Sequence, residues 1–303
     1  MRRKLVSAPA VTPSAYTLLD YVQWRDDPDP HWQAGITWQQ VCGDTSTTID
    51  WCVITGGDQE NPTKSATAAL ETRGAMPFTI LAEIDCSPVG FWDSAEDNVR
   101  GILTRMESTT LESVLWTGTA AGIAELIKPH LAENTEVVLV EDGYTQVLMQ
   151  PAMTVPVTGT LDVVEALGAL EYALENCYGG VGIVHVTIPV FEMMISQYLL
   201  TKSGARWQTA KGNWVVPGGG YPGTAPDGSA PAYGVNWMYI TGAVFGYRSG
   251  IKLNGTKIEH FDRSVNTLKV IAERTYVLGW DCCQFGVAVS YGGIITGLPN
   301  SAT

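Results

Sequence analysis

A chain of 303 residues with 45% hydrophobic residues can build one large domain or two of ordinary size. Its net charge of −13, from 18 Lys plus Arg against 31 Asp plus Glu, argues against tight sequence-independent binding to a nucleic-acid backbone, though not against a wall that encloses nucleic acid without sticking to it. Charged residues are only 16% of the chain, below the roughly 25% usual for soluble domains, so much of the surface is expected to be covered by other copies or partners, unless the chain is simply rich in Gly, Thr and Ala.

Residues 1–35 read as irregular, because Pro9, Pro13 and the acidic run Asp26-Asp27-Pro28-Asp29-Pro30 block regular structure. MRRKLVSAPAV is basic but lacks the apolar core of a secretory signal. Tyr16, Leu18, Leu19, Tyr21, Val22 and Trp24 are too apolar for a solvated tail. The segment is expected to lie across a neighbour rather than to fold on its own chain; a disordered terminus is the alternative.

Residues 36–85 read as extended. Ile36 and Trp38, then Ile49, Trp51 and Val53, then Phe78, Ile80 and Ala82 are spaced by two, and the 56–62 stretch is a strong turn. A hairpin with so polar a tip suits projection from a core as well as it suits a domain edge.

Trp92 to Gly118 is the clearest long helix, roughly 35 Å at 1.5 Å per residue. Val99, Ile102, Leu103 and Met106 make one apolar stripe, resumed by Leu111, Val114 and Leu115 after a phase slip near Ser108. Arg100, Arg105, Glu107 and Glu112 are placed largely on other faces, and Gly118 is the stop.

Further on, 122–130 reads as a short helix or loop and 136–141 as a strand. Leu161–Cys177 is a second helix closed by Gly179-Gly180, and 182–187 is a buried strand. Pro189 opens a third helix over 190–202 with Gly204 after it, giving a small α/β unit at about 135–220. A Gly/Pro-rich stretch over 217–234 reads as a flexible loop. Strands are expected over 237–245, 247–253, 257–261, 268–278 and 281–291, together an antiparallel set able to pack on the long helix.

No motif supplies chemistry. Gly218-x-Gly220-x-x-Gly223 matches a dinucleotide fingerprint as text, but Pro222, Pro226 and Pro231 oppose the helix it requires. His185 reads as a core histidine bonded to backbone, Asp142, Asp162, Glu165 and Asp227 as solvated, and Ser203 lacks the frame of a nucleophile elbow. The ten tryptophans fit packing better than glycan stacking. Cys42, Cys52, Cys86, Cys177, Cys282 and Cys283 form no C-x-x-C pair, so buried free thiols in a reduced, cytoplasmic chain are expected rather than zinc or a disulfide framework. No apolar run reaches the ~18 residues of a membrane span. The catalytic, cofactor-binding and metal sites expected are therefore none.

The order of arm, hairpin, long helix, α/β unit and returning strands resembles the major capsid proteins of tailed phages, with the Hong Kong 97-like fold also found in encapsulins. Thr110–Gly118 (TLESVLWTG), Val215–Tyr221 (VVPGGGY), Trp237–Gly242 (WMYITG) and Ala272–Asp281 (AERTYVLGWD) look like text from actinobacterial phage capsids. The resemblance implies an α+β fold with an N-terminal arm (1–35), an extended loop (36–90), a spine helix with part of a peripheral domain (91–134), an axial domain (135–235) and peripheral strands (236–303). It implies a structural, non-enzymatic subunit of pentamers and hexamers in an icosahedral shell around double-stranded DNA. Its implied partners are itself, a portal, scaffolding or decoration proteins, and DNA held without sequence specificity. The implied location is the virion capsid, assembled in the host cytoplasm. Lys64 lies in the proposed loop, but no partner Asn is identified for the crosslinking of one family branch. An encapsulin-like compartment shell and a carbohydrate-binding or hydrolytic phage protein are the alternatives.

Overall fold

A computed structural model describes residues 11–26, 29–39, 72–86, 92–118, 129–132, 137–141, 144–149, 153–155, 159–254, 261–262, 267–281 and 283–291. The fold is mixed α and β. Helix α1 (Leu18–Tyr21) is opened by Thr17, whose amide donates to the Asp20 carboxylate at 3.0 Å. Strand β1 (Gln23–Trp24) follows, then a 3-10 turn (Pro30–Ala34). Leu18, Tyr21 and Val22 are 0%, 2% and 4% exposed, which corrects the expectation that this arm does not fold on its own chain. One short helical turn is enough to put these three side chains on a single face, and that face finds its cover on the chain's own long helix.

β2 (Ile36–Gln39) and β3 (Thr72–Ala75) pair antiparallel, from Ile36 opposite Ala75 to Gln39 opposite Thr72, and so close the base of the extended stretch. The expected Ile49–Val53 strand, the 56–62 turn and Lys64 lie outside the described residues. β4 (Phe78–Cys86) is followed by α2 (Trp92–Thr117), 26 residues and about 39 Å long. Gly118 ends it with φ +74°, a conformation that favours glycine. Ala95, Val99, Leu103, Leu111, Val114, Leu115 and Trp116 are buried, whereas Met106, expected in the stripe, is exposed.

β5 (Val137–Glu141), β6 (Tyr144–Met149) and β7 (Met153–Thr154) precede α3 (Val163–Cys177), whose N-cap Asp162 accepts from the Val164 and Glu165 amides at 2.8 Å each. β8 (Ile183–Thr187), buried at every position, leads into α4 (Ile188–Ser196). That helix stops six residues before its expected end: Tyr198 takes φ +57° and the chain reverses into a hairpin of β9 (Leu200–Ser203) and β10 (Arg206–Thr209), with Gly204 in its turn. β11 (Trp214–Gly218), β12 (Val235–Thr241), β13 (Val244–Arg248), β14 (Lys252–Asn254), β15 (Phe261–Asp262), β16 (Thr267–Trp280) and β17 (Gln284–Ser290) complete the fold.

The C-terminal strands do not form one set. β12 and β17 join the α/β unit in a seven-stranded sheet of order β7-β17-β12-β8-β11-β10-β9, while β13 to β16 sit with β1 and β4 in a second sheet. The expected run 237–245 is therefore two strands, broken at Gly242, where a Cβ would lie 2.5 Å from the Asp281 carbonyl oxygen. β12 joins the sheet of β8 for a physical reason. β8 is buried on both faces and needs a neighbour on each edge, which β11 and β12 supply. β5 and β6 belong to neither sheet; they pair with each other, and β6 pairs with β3 in a four-stranded sheet of order β2-β3-β6-β5.

Cys177, the last residue of α3, is joined to Cys283, just before β17, with their Cα atoms 6.1 Å apart across a separation of 106 residues. This corrects the expectation of free thiols for that pair. Spacing along the chain does not show it, because the contact arises only when α3 lies on the sheet beside β17. Closing a loop of this length restricts the unfolded chain, so Cys177→Ala is expected to cost about 2–4 kcal/mol. Thermal unfolding with and without dithiothreitol checks this: reductant should lower the melting temperature of the natural chain and leave the variant unchanged.

Candidate functional site

Helix α2 carries two carboxylates into the interior that the periodicity did not place there. Glu107 is 5% and Glu112 1% exposed. The sequence signal was present, since Ala95, Val99, Leu103, Glu107 and Leu111 follow one another at four-residue steps, so Glu107 occupies a stripe position. Arg274 Nη1 donates to Glu107 Oε1 at 3.2 Å and Oε2 at 2.9 Å, and the Tyr276 hydroxyl donates to Oε2 at 2.6 Å. Burial, and then the bond to Glu107, push the Tyr276 hydroxyl well above its ordinary pKa. The trio fastens the helix to β16.

Glu112 fastens it to two other parts of the chain. Its Oε1 accepts from the Leu18 amide at 3.1 Å and its Oε2 from the Gly220 amide at 3.0 Å. Burial raises its pKa, the Gly220, Leu18 and Gly219 amides oppose the rise, and the charge of Asp20 adds to it. The helix, the arm and the glycine-rich loop therefore meet at one carboxylate.

That loop is pinned, not flexible. A Cβ on Gly220 would lie 1.9 Å from the Thr109 carbonyl oxygen, so only glycine lets the loop approach α2 this closely. Trp116 Nε1 donates to Thr224 Oγ1 at 2.9 Å, and its ring meets those of Tyr221 and Tyr239 at centroid distances of 4.9 and 4.8 Å. Tyr239 donates to the Thr224 carbonyl at 3.0 Å, and Asn236 Nδ2 to Thr187 Oγ1 at 2.8 Å. Loop residues 219–234 form no helix, so the Gly218-x-Gly220-x-x-Gly223 text opens no helix N-terminus.

His185 is fully buried, as expected, but its partners are side chains rather than backbone: Nδ1 lies 2.9 Å from the Tyr221 hydroxyl and Nε2 3.1 Å from Thr241 Oγ1. Burial lowers its pKa to about 3, so it is neutral at ordinary pH. The remaining candidates are not brought together. Asp162 caps α3, Asp227 accepts from the Ser229 amide at 2.9 Å, and Ser203 sits exposed at the end of β9. Asp142 lies outside the described residues. Among the described residues no group of three or more His, Cys, Asp or Glu side chains is arranged to hold a metal, and no helix is long and apolar enough to cross a membrane.

The surface carries a largely apolar groove of about 560 Å³ beside α4, lined by Ile188, Pro189, Glu192, Met193, Gly219 and Tyr291 among others. Tyr172, Tyr198 and Tyr233 are also exposed. The buried carboxylates and hydroxyls described above thus hold the chain's parts together.

No family model and no curated protein matches the sequence. Solved structures do match over nearly the whole chain. The capsid of Ralstonia phage GP4 is similar at 10% identity and a TM-score of 0.53, covering 99% of this chain and 97% of that one. The capsid of a native GTA particle gives 10% identity and a TM-score of 0.54, covering 96% and 95%. The holo-SrpI encapsulin complex from Synechococcus elongatus gives 10% and 0.53, covering 97% and 96%. The chain has the mixed α and β fold of phage capsid subunits, a fold it shares with an encapsulin. The resemblance read from the sequence to tailed-phage capsid proteins thus holds at the level of fold.

Proposed function

We propose that this chain is the major capsid protein of a tailed phage, a structural subunit that assembles into pentamers and hexamers of an icosahedral shell around double-stranded DNA. The observation that carries the reading is the match of nearly the entire chain to the capsids of Ralstonia phage GP4 and of a native GTA particle. Its parts take roles accordingly. Residues 1–35 are the N-terminal arm and 36–90 the extended loop, rooted at the β2/β3 pairing. Residues 91–134, built on α2, form the spine helix and part of the peripheral domain. The axial domain is 135–235 enlarged by β12 and β17, and the remaining strands of 236–303, with β4, form the peripheral domain.

The role is structural rather than enzymatic. The low proportion of charged residues, the apolar groove and the exposed tyrosines suit a surface that meets copies of itself. A net charge of −13 suits a wall that encloses DNA without binding its sequence or holding it fast. Portal, scaffolding and decoration proteins are the further partners of such a shell, and the virion capsid, assembled in the host cytoplasm, is its location.

Negative-stain electron microscopy with mass photometry on the recombinant protein tests the reading. Closed shells or five- and six-membered rings are expected, with nucleic acid inside those formed during infection. A uniform monomer or dimer that stays so with the phage's scaffold added would overturn it. Shells that enclose a protein cargo would instead favour an encapsulin-type compartment.

A further inference from the structure

The apolar groove beside α4 lies where the chain leaves its seven-stranded sheet. Ile188, Pro189 and Met193 of α4 form one wall, Gly218 and Gly219 another, and Tyr291 a third. Tyr291 follows the last residue of β17, and its amide donates to the Gly234 carbonyl at 2.9 Å, so the point of departure is fixed at the edge of the groove. The walls are fixed too: Thr187 caps α4 with Pro189 in its first turn, and the loop that carries Gly219 is held on α2 through Gly220. Ile188 is 49% exposed, and Glu192 is the one charged side chain among the described lining residues.

We propose that this groove is the seat of the chain's own segment 292–298, with Ile294, Ile295 and Leu298 as its anchors. Residues 292–303 lie outside the described residues, and their sequence is GGIITGLPNSAT. It holds three large aliphatic side chains and no Asp, Glu, Lys or Arg, which suits an apolar groove with a single carboxylate. Gly292-Gly293, directly after Tyr291, sets no Cβ against a sharp change of direction. Ile294 is then at most about 10 Å along the chain from Tyr291, and Leu298 at most about 25 Å.

Tethering decides the occupant. A segment joined by two residues to the wall of the groove is present at a local concentration on the order of millimolar, so weak apolar contacts suffice to seat it. Because the walls are already in place, only the segment is ordered on seating. The face beside α4 that a second copy would meet is then built jointly by α4 and this segment. The inference rests on the single chain and stands or falls apart from the capsid reading.

A photo-crosslinking phenylalanine analogue in place of Thr296, between the anchors of the full-length chain, tests this. After irradiation, crosslinks to peptides covering 187–196 or 218–221 are expected in the band of single-chain mass on denaturing electrophoresis. The same crosslinks confined to a band of doubled mass would assign the groove to a second copy and overturn the proposal, as would none to these peptides in either band. Ile188→Asp puts a charge in the wall at a helix position that tolerates acid, and should remove most of the crosslink. An undiminished yield would mean proximity without a seat and would overturn it as well. Oxidation by hydrogen peroxide, read by mass spectrometry, probes the groove without a crosslinker. Met193 should oxidise several-fold faster in Ile294→Asp/Ile295→Asp than in the natural chain, while the fully buried Met194 and the exposed Met106 keep their rates. Equal Met193 rates in the two chains would count against the seat just as decisively.

Discussion

Glu107→Ala is expected to destabilise the folded chain by about 3–5 kcal/mol, the range for removing one partner of a buried ion pair. The loss comes less from the vanished attraction than from what remains. Arg274 is left with an uncompensated charge beneath α2, and the Tyr276 hydroxyl loses its acceptor. Solvent screening offers little relief, since the two charged side chains are only 18% and 7% exposed. The companion measurement is the double variant Glu107→Leu/Arg274→Leu, which removes both charges and fills the space with apolar groups. It should recover most of the stability, because a buried pair contributes little net energy over well-packed hydrophobic residues. Equilibrium denaturation of both variants decides the matter. A loss under about 1 kcal/mol for Glu107→Ala would mean that the pair is solvated and that helix and sheet are held together by packing alone.

Trp116→Ala is expected to cost a similar 3–5 kcal/mol, as truncations of fully buried aromatic side chains do. The indole is fully buried and lies against Tyr221 and Tyr239, so its removal opens a cavity at the junction of long helix, loop and α/β sheet. Trp116→Phe separates the ring from its hydrogen bond. It keeps most of the packing but withdraws the donor from Thr224, and should cost closer to about 1 kcal/mol. The alanine variant should also make 217–234 newly sensitive to protease, since Thr224 and Tyr221 lose their anchor together. Wild-type resistance of that loop in Trp116→Ala would show that Gly220 on Thr109 and Glu112 is sufficient to pin it.

Much of the architecture was legible because long elements announce themselves. α2, α3, β4, β8 and β17 carry clear apolar periods, and the sequence text led to the right fold. Local detail failed where a tertiary contact outweighed the local pattern. The arm looked unable to fold on its own chain, because the surface covering Leu18 and Tyr21 belongs to a helix some 90 residues later. The loop after β11 looked flexible, because glycine reads as freedom when here it permits contact with a backbone oxygen. Glu107 and Glu112 were placed largely on faces other than the apolar stripe. Only their partners, Arg274 and Tyr276 for one and two backbone amides for the other, make an inward position tolerable. The Cys177–Cys283 bond was likewise invisible to spacing.

Strand β4 pairs over nine residues with β16, from Leu268 opposite Cys86 to Tyr276 opposite Phe78. During synthesis the earlier strand leaves the ribosome long before its mate exists. At ordinary translation speeds of about 5–20 residues per second, the intervening stretch takes roughly 10–40 s to appear. Throughout that interval the apolar side of β4 and the stripe of α2 lack the sheet that covers them. A nascent chain therefore exposes apolar surface that the finished fold covers, surface of the kind that chaperones bind. Completion of β16 acts as a timer: a chain that stops before Thr267 has no mate for β4 and cannot close this sheet.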